Sequence, residues 1–412
     1  MNSLKELYRI GLGPSSSHTM APNLAASEIK NKYISDYPDE NEKDFSFEAE
    51  LFGSLAFTGK GHGTDVAVRR ALGSETKIKF NKTVKKTHPN VMTVRVFLRG
   101  EKIGEHEVAS LGGGAYSIDG EVKNRGEVYP HKNFAEIKSY CNAENIRLCD
   151  YVYKFEPEAE AYLFSVWAQM KNTANEGLNA TGILPGGLKT ERKAKYLHDK
   201  INVFLNASTL ENMLVCSYVF AVAEQNAAGG VVVTAPTCGA CGVLPACLLY
   251  MQKKFGYSDK KIVDALAAGG VIGNIIKRNA SISGAECGCQ AEIGSACSMA
   301  SAALCELEEM SLDQIEYAAE VAMEHHLGLT CDPIGGLVQI PCIERNAVAA
   351  MRAINALSLA KFLTETRKIS FDNIVDTMYN TGKDLSRLYK ETGRGGLAKT
   401  CKLLADGKTA KQ

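Results

Sequence analysis

A stretch without a single charged side chain, from Gln225 to Gln252, sets the strongest limit on what this chain can fold into. At about 20 residues per crossing it is long enough to span a bilayer. Gly229-Gly230, Pro236, Gly239, Gly242 and Pro245 interrupt it, and every break frees backbone groups that hydrocarbon cannot satisfy. The stretch is therefore expected to be deeply buried, loop-interrupted core, and no membrane partner is expected.

A core of that kind needs apolar material, and 45% of the 412 residues are hydrophobic. The 47 basic residues balance 47 acidic ones, which excludes disordered chains, since these combine excess charge with low hydrophobicity. No basic surplus or basic run marks a nucleic-acid binder, so no nucleic-acid partner is expected. The length suits two or three domains. Thirteen cysteines, an odd number, crowd the second half of the chain. Met1 to Leu7 lacks the apolar core of an export signal, which predicts a cytoplasmic, reducing compartment. Thiols there serve as core residues, catalytic groups or metal ligands rather than disulfides.

Alternation over Asp44 to Leu51, with Phe45, Phe47, Ala49 and Leu51 on one face, predicts a half-buried strand. Met92 to Leu98 reads as a second strand, turning through Arg99-Gly100-Glu101-Lys102 into a third over Ile103 to Val108. Pro22 to Tyr37 and Thr64 to Leu72 carry helical spacing. Residues 1–150 are thus expected to form an α+β domain. Beyond Tyr151 the strand signals fade, and Ala159 to Thr173, Asn212 to Asn226, Lys260 to Gly269, Ser298 to Glu309, Gln314 to Leu327 and Asn346 to Leu363 read as helices. A larger all-α domain is expected over 151–405, followed by a flexible polar tail over 406–412.

Three histidine-bearing words stand in the first part. Gly13-Pro14-Ser15-Ser16-Ser17-His18-Thr19 offers hydroxyls and free backbone N–H groups to an anion such as a carboxylate, although an ordinary helix cap with a surface histidine fits the same residues. Gly59-Lys60-Gly61-His62-Gly63-Thr64 lacks the order of a nucleotide-binding loop. Its glycines would let His62 project as a general base, or simply form a flexible turn. Thr87-His88-Pro89-Asn90 carries the weakest local signal. In the second part Cys238 and Cys241 form a C-x-x-C, and Cys287 and Cys289 a C-x-C. The gap from 241 to 287 is too wide for a compact zinc ribbon, and no βαβ context supports a thioredoxin-like pair. Cys141, Cys149, Cys216, Cys247, Cys297 and Cys305 read as plain core.

Taken in order, Gly-Pro-Ser-Ser-Ser-His-Thr at 13–19, Thr-Gly-Lys-Gly-His-Gly-Thr-Asp at 58–65, Leu-Pro-Gly-Gly-Leu-Lys at 184–189 and Thr-Ala-Pro-Thr at 234–237 form a set. Asn-Ala-Ser-Ile-Ser-Gly-Ala-Glu at 279–286, Gly-Cys-Gln at 288–290 and the long word from Leu327 to Asn346 complete it. The set closely resembles the iron–sulfur-dependent L-serine dehydratases, or L-serine ammonia-lyases, in a single-chain form with beta-type and alpha-type regions fused. The resemblance runs from about Leu7 to Ala398.

What it implies is a [4Fe-4S] cluster in the helical domain, held by Cys289, Cys331 and Cys342, with one open iron acting as a Lewis acid and no pyridoxal phosphate. It implies L-serine as substrate, His62 as the base, a substrate-binding role for Ser15, Ser16, Ser17, His18, His88 and Asn90, and a homodimer. Cys238, Cys241 and Cys287 become neighbours of the site. Some members of the family end in a cysteine that caps the open iron. Here eleven residues follow Cys401, so either Cys401 approaches the cluster or that cap is absent. Elimination from L-cysteine or L-threonine, and a non-enzymatic thiol or iron sensor, are the alternatives.

Overall fold

A computed structural model describes residues 1–122, 126–201, 206–391 and 395–401. The expected tail over 406–412 lies outside the described residues. The chain divides into two units, a smaller one over Gly11–Asn124 and a larger one formed by Met1–Ile10 together with Arg125–Gln412.

The smaller unit is α+β. Its strands are β1 (Phe45–Phe52), β2 (Lys77–Asn81), β3 (Val91–Leu98), β4 (Glu101–Gly112), β5 (Ala115–Ile118) and β6 (Glu121–Val122), and its longer helices are α1 (Ala21–Asp36) and α2 (Thr64–Leu72). The sheet runs β2-β1-β3-β4-β5-β6. β1 and β2 are parallel, with Glu48 opposite Lys77, and β1 and β3 antiparallel, with Phe45 opposite Leu98. The alternation of β1 sends Phe45, Phe47, Ala49 and Leu51 into one core with Ala25, Ala26 and Ile29 of α1. A parallel neighbour needs a crossover, and here the connection from β1 to β2 carries two short helical turns and α2. That crossover is the segment that bears His62.

The larger unit is built on helices. The longer ones are α3 (Phe134–Glu144), α4 (Leu148–Phe155), α5 (Ala159–Asn179), α6 (Ala207–Ala227), α7 (Val243–Phe255), α8 (Asp259–Asn279), α9 (Ser295–Leu307), α10 (Leu312–Glu324), α11 (Cys342–Leu363) and α12 (Phe371–Asp384). Every residue of α9 is buried, as expected for an alanine-rich helix at the centre of its unit. Among the described residues one helix, Cys342–Thr366, is long and apolar enough to cross a membrane by length and composition. Its Ala349, Ala350, Ala353, Ala356 and Ala360 pack into the core. The uncharged stretch from Gln225 to Gln252 falls on the end of α6, a short strand, a turn and α7, with Val232, Ala235, Cys238, Val243 and Leu244 fully buried.

Two expectations change. The division of the chain does not fall near Asp150, because both its first ten residues and α3–α4 join the helices. Leu4, Leu7 and Tyr8 are fully buried in the same core as Phe134, Ile137 and Tyr151. Ser3 Oγ and Leu4 N–H both donate to the Glu156 carboxylate. Nor is the larger unit wholly helical: β7 (Val231–Val233) is a strand. Val-Val-Val followed by Thr234 favours extended backbone, and the amino-terminal segment pairs with it. Thr234 N–H donates to Arg9 O at 2.9 Å, and Arg9 N–H donates to Thr234 Oγ1 at 2.8 Å.

Candidate functional site

Two groups of reactive side chains stand out, one in each unit. In the larger unit Cys289 precedes the short helical stretch Gln290–Gly294 that runs into α9. Cys331 lies in the segment after α10, and Cys342 is the first residue of α11. A helix start favours a thiolate through its unpaired N–H groups. The first two turns are stitched together: Gln290 N–H donates to Leu329 O at 3.3 Å, and Gln290 Oε1 accepts from Gly328 N–H at 2.9 Å. As a result the Cys289 and Cys331 sulfurs and a Glu292 carboxylate oxygen all lie within 4.8 Å of one another.

Electrostatics binds Cys342 to the same group. Burial, then the charges of Cys289 and Glu292, push its thiol well above the ordinary range. A hydrogen bond with Cys289, and then burial, do the same to Cys331. Burial raises the Glu292 carboxyl against the pull of Thr237, whose hydroxyl donates to Glu292 Oε1 at 2.8 Å. Desolvation and then the charge of Glu292 push the carboxyl of the half-buried Glu391 up to about 8. Set against this accumulation of acids is Arg345, which donates to Thr330 O at 2.6 Å and to Asp332 Oδ1 at 3.0 Å. Asn346 ties the C-x-x-C turn to the start of α11, since its Nδ2 donates to Gly239 O and to Cys342 O, each at 2.8 Å.

In the smaller unit Ser15 caps the helical turn that leads into α1, its Oγ accepting from His18 N–H at 3.2 Å. His18 is fully engaged: Nδ1 meets Ser17 Oγ at 3.0 Å, and Nε2 meets Ser54 Oγ at 2.9 Å and Thr58 Oγ1 at 3.0 Å. The His62 ring stacks on it with centroids 4.4 Å apart. His62 Nδ1 lies 3.2 Å from Thr58 O, and a carbonyl can only accept, so Nδ1 carries the proton and Nε2 the lone pair. Nε2 is buried and has no hydrogen-bond partner among the described residues. Burial lowers the pKa of both imidazoles from 6.5, and His18 is lowered further by His62. Both rings are therefore neutral near pH 7, and His62 presents an available base.

The third word joins this group through its backbone. Pro89 O accepts from Ser54 N–H at 2.8 Å, beside Gly53 at φ +53°, where a Cβ would stand 2.2 Å from that carbonyl. His88 Nδ1 accepts from Asn90 N–H at 3.1 Å, and the buried Asn90 Oδ1 has no partner among the described residues.

The sequence of the chain matches the serine dehydratase alpha chain family over residues 37–398. It is 38% identical to an L-serine dehydratase of Haemophilus influenzae, covering 97% of this chain and 99% of that protein. It is 37% identical to L-serine dehydratase 1 of Escherichia coli over the same shares, and 38% identical to an L-serine dehydratase of Streptomyces coelicolor over 96% and 98%. The chain belongs to the serine dehydratase family.

For a serine dehydratase expected to hold a [4Fe-4S] cluster, the donor set is suitable. Three thiols come from three separate turns, and those of Cys331 and Cys342 are raised by their surroundings, as thiols that await a cation would be. Glycines leave them room: a Cβ on Gly284 would stand 3.1 Å from Cys331 Sγ and 2.7 Å from Glu292 Oε2. The other expected neighbours divide. Cys238 and Cys241 are buried in the turn that Asn346 holds. Cys287 turns away to α12, where a Cβ on Gly382 would meet its Cβ and Sγ at 2.6 Å. Among the cysteines expected in the core, Cys216 is only half-buried, whereas Cys141, Cys149, Cys247, Cys297 and Cys305 are buried.

Glu292, Thr237, Asp332 and Glu391 were not expected from the sequence. For Glu292 a signal existed: a lone acid between Ala291 and Ile293, at the head of the apolar α9, has no aqueous face to occupy.

Proposed function

We propose that the protein is an L-serine dehydratase that converts L-serine to pyruvate and ammonia, with a [4Fe-4S] cluster held by Cys289, Cys331 and Cys342. The observation that supports this reading is the approach of the Cys289 and Cys331 sulfurs beside Glu292, with Cys342 feeling the charge of Cys289, in a chain that aligns nearly end to end with proteins named L-serine dehydratase. When bound, the cluster would supply a Lewis-acidic iron for the substrate hydroxyl.

The remaining chemistry belongs to side chains of the chain itself. His62 Nε2 accepts the α-proton of serine and holds it, while the Nδ1–H bond to Thr58 O fixes the tautomer and ring plane. His18, hydrogen-bonded at both nitrogens and neutral, keeps the ring of His62 in place without an opposing charge. Ser15, Ser16, Ser17, His18, His88 and Asn90 are assigned to substrate binding, with the unpaired Asn90 Oδ1 suited to the ammonium group. Loss of the proton and of the hydroxyl leaves aminoacrylate, which tautomerises to an imine and hydrolyses to pyruvate and ammonia. A cytoplasmic homodimer that uses no pyridoxal phosphate belongs to the same proposal, its dimeric state and its independence of that cofactor resting on the resemblance.

The test is anaerobic purification with iron and sulfide, followed by pyruvate assays with L-serine, D-serine, L-threonine and L-cysteine. L-serine should be turned over best, and added pyridoxal phosphate should change nothing. A preparation without cluster absorbance, or one with the cluster and no pyruvate from L-serine, would overturn the reading.

A further inference from the structure

Three thiols leave one position of a four-iron cluster without a cysteine, so the protein itself must decide what stands there in the absence of substrate. The group beside Cys289 and Cys331 is a carboxylate. A Glu292 oxygen lies within 4.8 Å of both sulfurs, so it shares their space and is not a distant counter-charge. Its aim is set from two sides. Thr237 Oγ1 donates to Oε1 at 2.8 Å, which leaves Oε2 on the side of Gly284, where a Cβ would touch both that oxygen and Cys331 Sγ. Gly239, where a Cβ would stand 3.2 Å from Oε1, keeps the other flank bare. A half-buried carboxylate held against thiols, with no ion pair among the described residues, is costly unless a cation receives it.

We infer that Glu292 is the oxygen donor to the iron that the three cysteines leave open, occupying it until substrate oxygen replaces it. This inference rests on the cluster reading. A hard oxygen ligand suits the role better than a fourth thiolate, because oxygen donors exchange with a substrate carboxylate or hydroxyl while thiolates hold iron firmly. Thr237 is then a positioning residue, which keeps one carboxylate oxygen occupied and the other free.

The experiment compares wild type with Glu292→Gln, Thr237→Val and Cys401→Ser, all reconstituted anaerobically. Iron, sulfide and visible absorbance are measured first, and circular dichroism checks the fold. Each protein is then treated with ferricyanide, which takes one electron from the cluster. An oxidised four-iron core releases Fe²⁺ and leaves a three-iron core, followed by its electron paramagnetic resonance signal. Glu292→Gln should load a full cluster yet lose the fourth iron about tenfold faster or more, with Thr237→Val in between and Cys401→Ser unchanged. Equal rates in wild type and Glu292→Gln would overturn the inference, as would a faster loss confined to Cys401→Ser. If Glu292→Gln fails to fold, Thr237→Val decides by the same measure. Failure of the wild type to take up a cluster at all would instead count against the cluster reading itself.

Discussion

The two reactive groups are built on opposite plans. The histidine group is local and complete: residues 15–18, 54–62 and 88–90 are tied by short-range hydrogen bonds, and its imidazoles are neutral and aimed as folded. The thiol group is assembled from turns at 289, 331 and 342, and its acids are raised by burial and by one another. One group is ready without help. The other is a demand for positive charge, met only in part by Arg345. The contrast teaches that a base can be prepared by desolvation alone, whereas a metal site stores its cost until the metal arrives.

The largest effect should come from breaking the thiol group. Cys331→Ser should abolish cluster absorbance and lower turnover at least about a thousandfold, since a Lewis acid supplies several kcal/mol and each 1.36 kcal/mol is tenfold. His62→Gln should leave iron and sulfide content unchanged while lowering kcat about a hundredfold to ten-thousandfold, the usual worth of a general base. Equal cluster loss in both variants would erase the distinction between the groups. Asn90→Ala should raise KM about tenfold or more with little change in kcat, as loss of a hydrogen bond to a charged substrate group would.

The pH dependence sharpens the comparison from the other side. The folded pKa values of His18 and His62 lie below 6.5, so the folded unit takes up protons less readily than the unfolded chain. Stability is unaffected above the ordinary histidine range and is lost as pH falls through 6.5 toward those lower values. With His62 as the proposed base, activity should persist below 6.5. A kcat/KM profile with its acidic limb at or above the ordinary histidine value would contradict this. The smallest effect should be that of Cys287→Ala, costing about 1 kcal/mol of stability with iron content intact, because its thiol packs on Gly382.

Much of the fold was legible in the sequence where periodicity reports directly on burial. The alternation from Phe45 to Leu51 gave its strand because one face is core, and Thr64–Leu72 is a helix over the residues its spacing indicated. The division of the chain was not legible. Leu4, Leu7 and Tyr8 look like any amphipathic opening turn, and only their partners Glu156, Thr234 and Leu266 show where they belong. For the candidate site the words announced the cysteines and histidines. They could not announce Asp332 or Glu391, whose importance comes from what folding places around them.

The connectivity of the smaller unit has a consequence for how the protein is made. Its six-stranded sheet and the helices packed on it lie within Gly11–Asn124, so they can fold while the ribosome is still producing the helices of the larger unit. Met1–Ile10, although synthesised first, must wait. Tyr8 OH donates to Leu266 O at 2.9 Å and Thr234 Oγ1 to Leu7 O at 2.6 Å, partners made long afterwards. The opening residues of the chain are thus among the last to find their place.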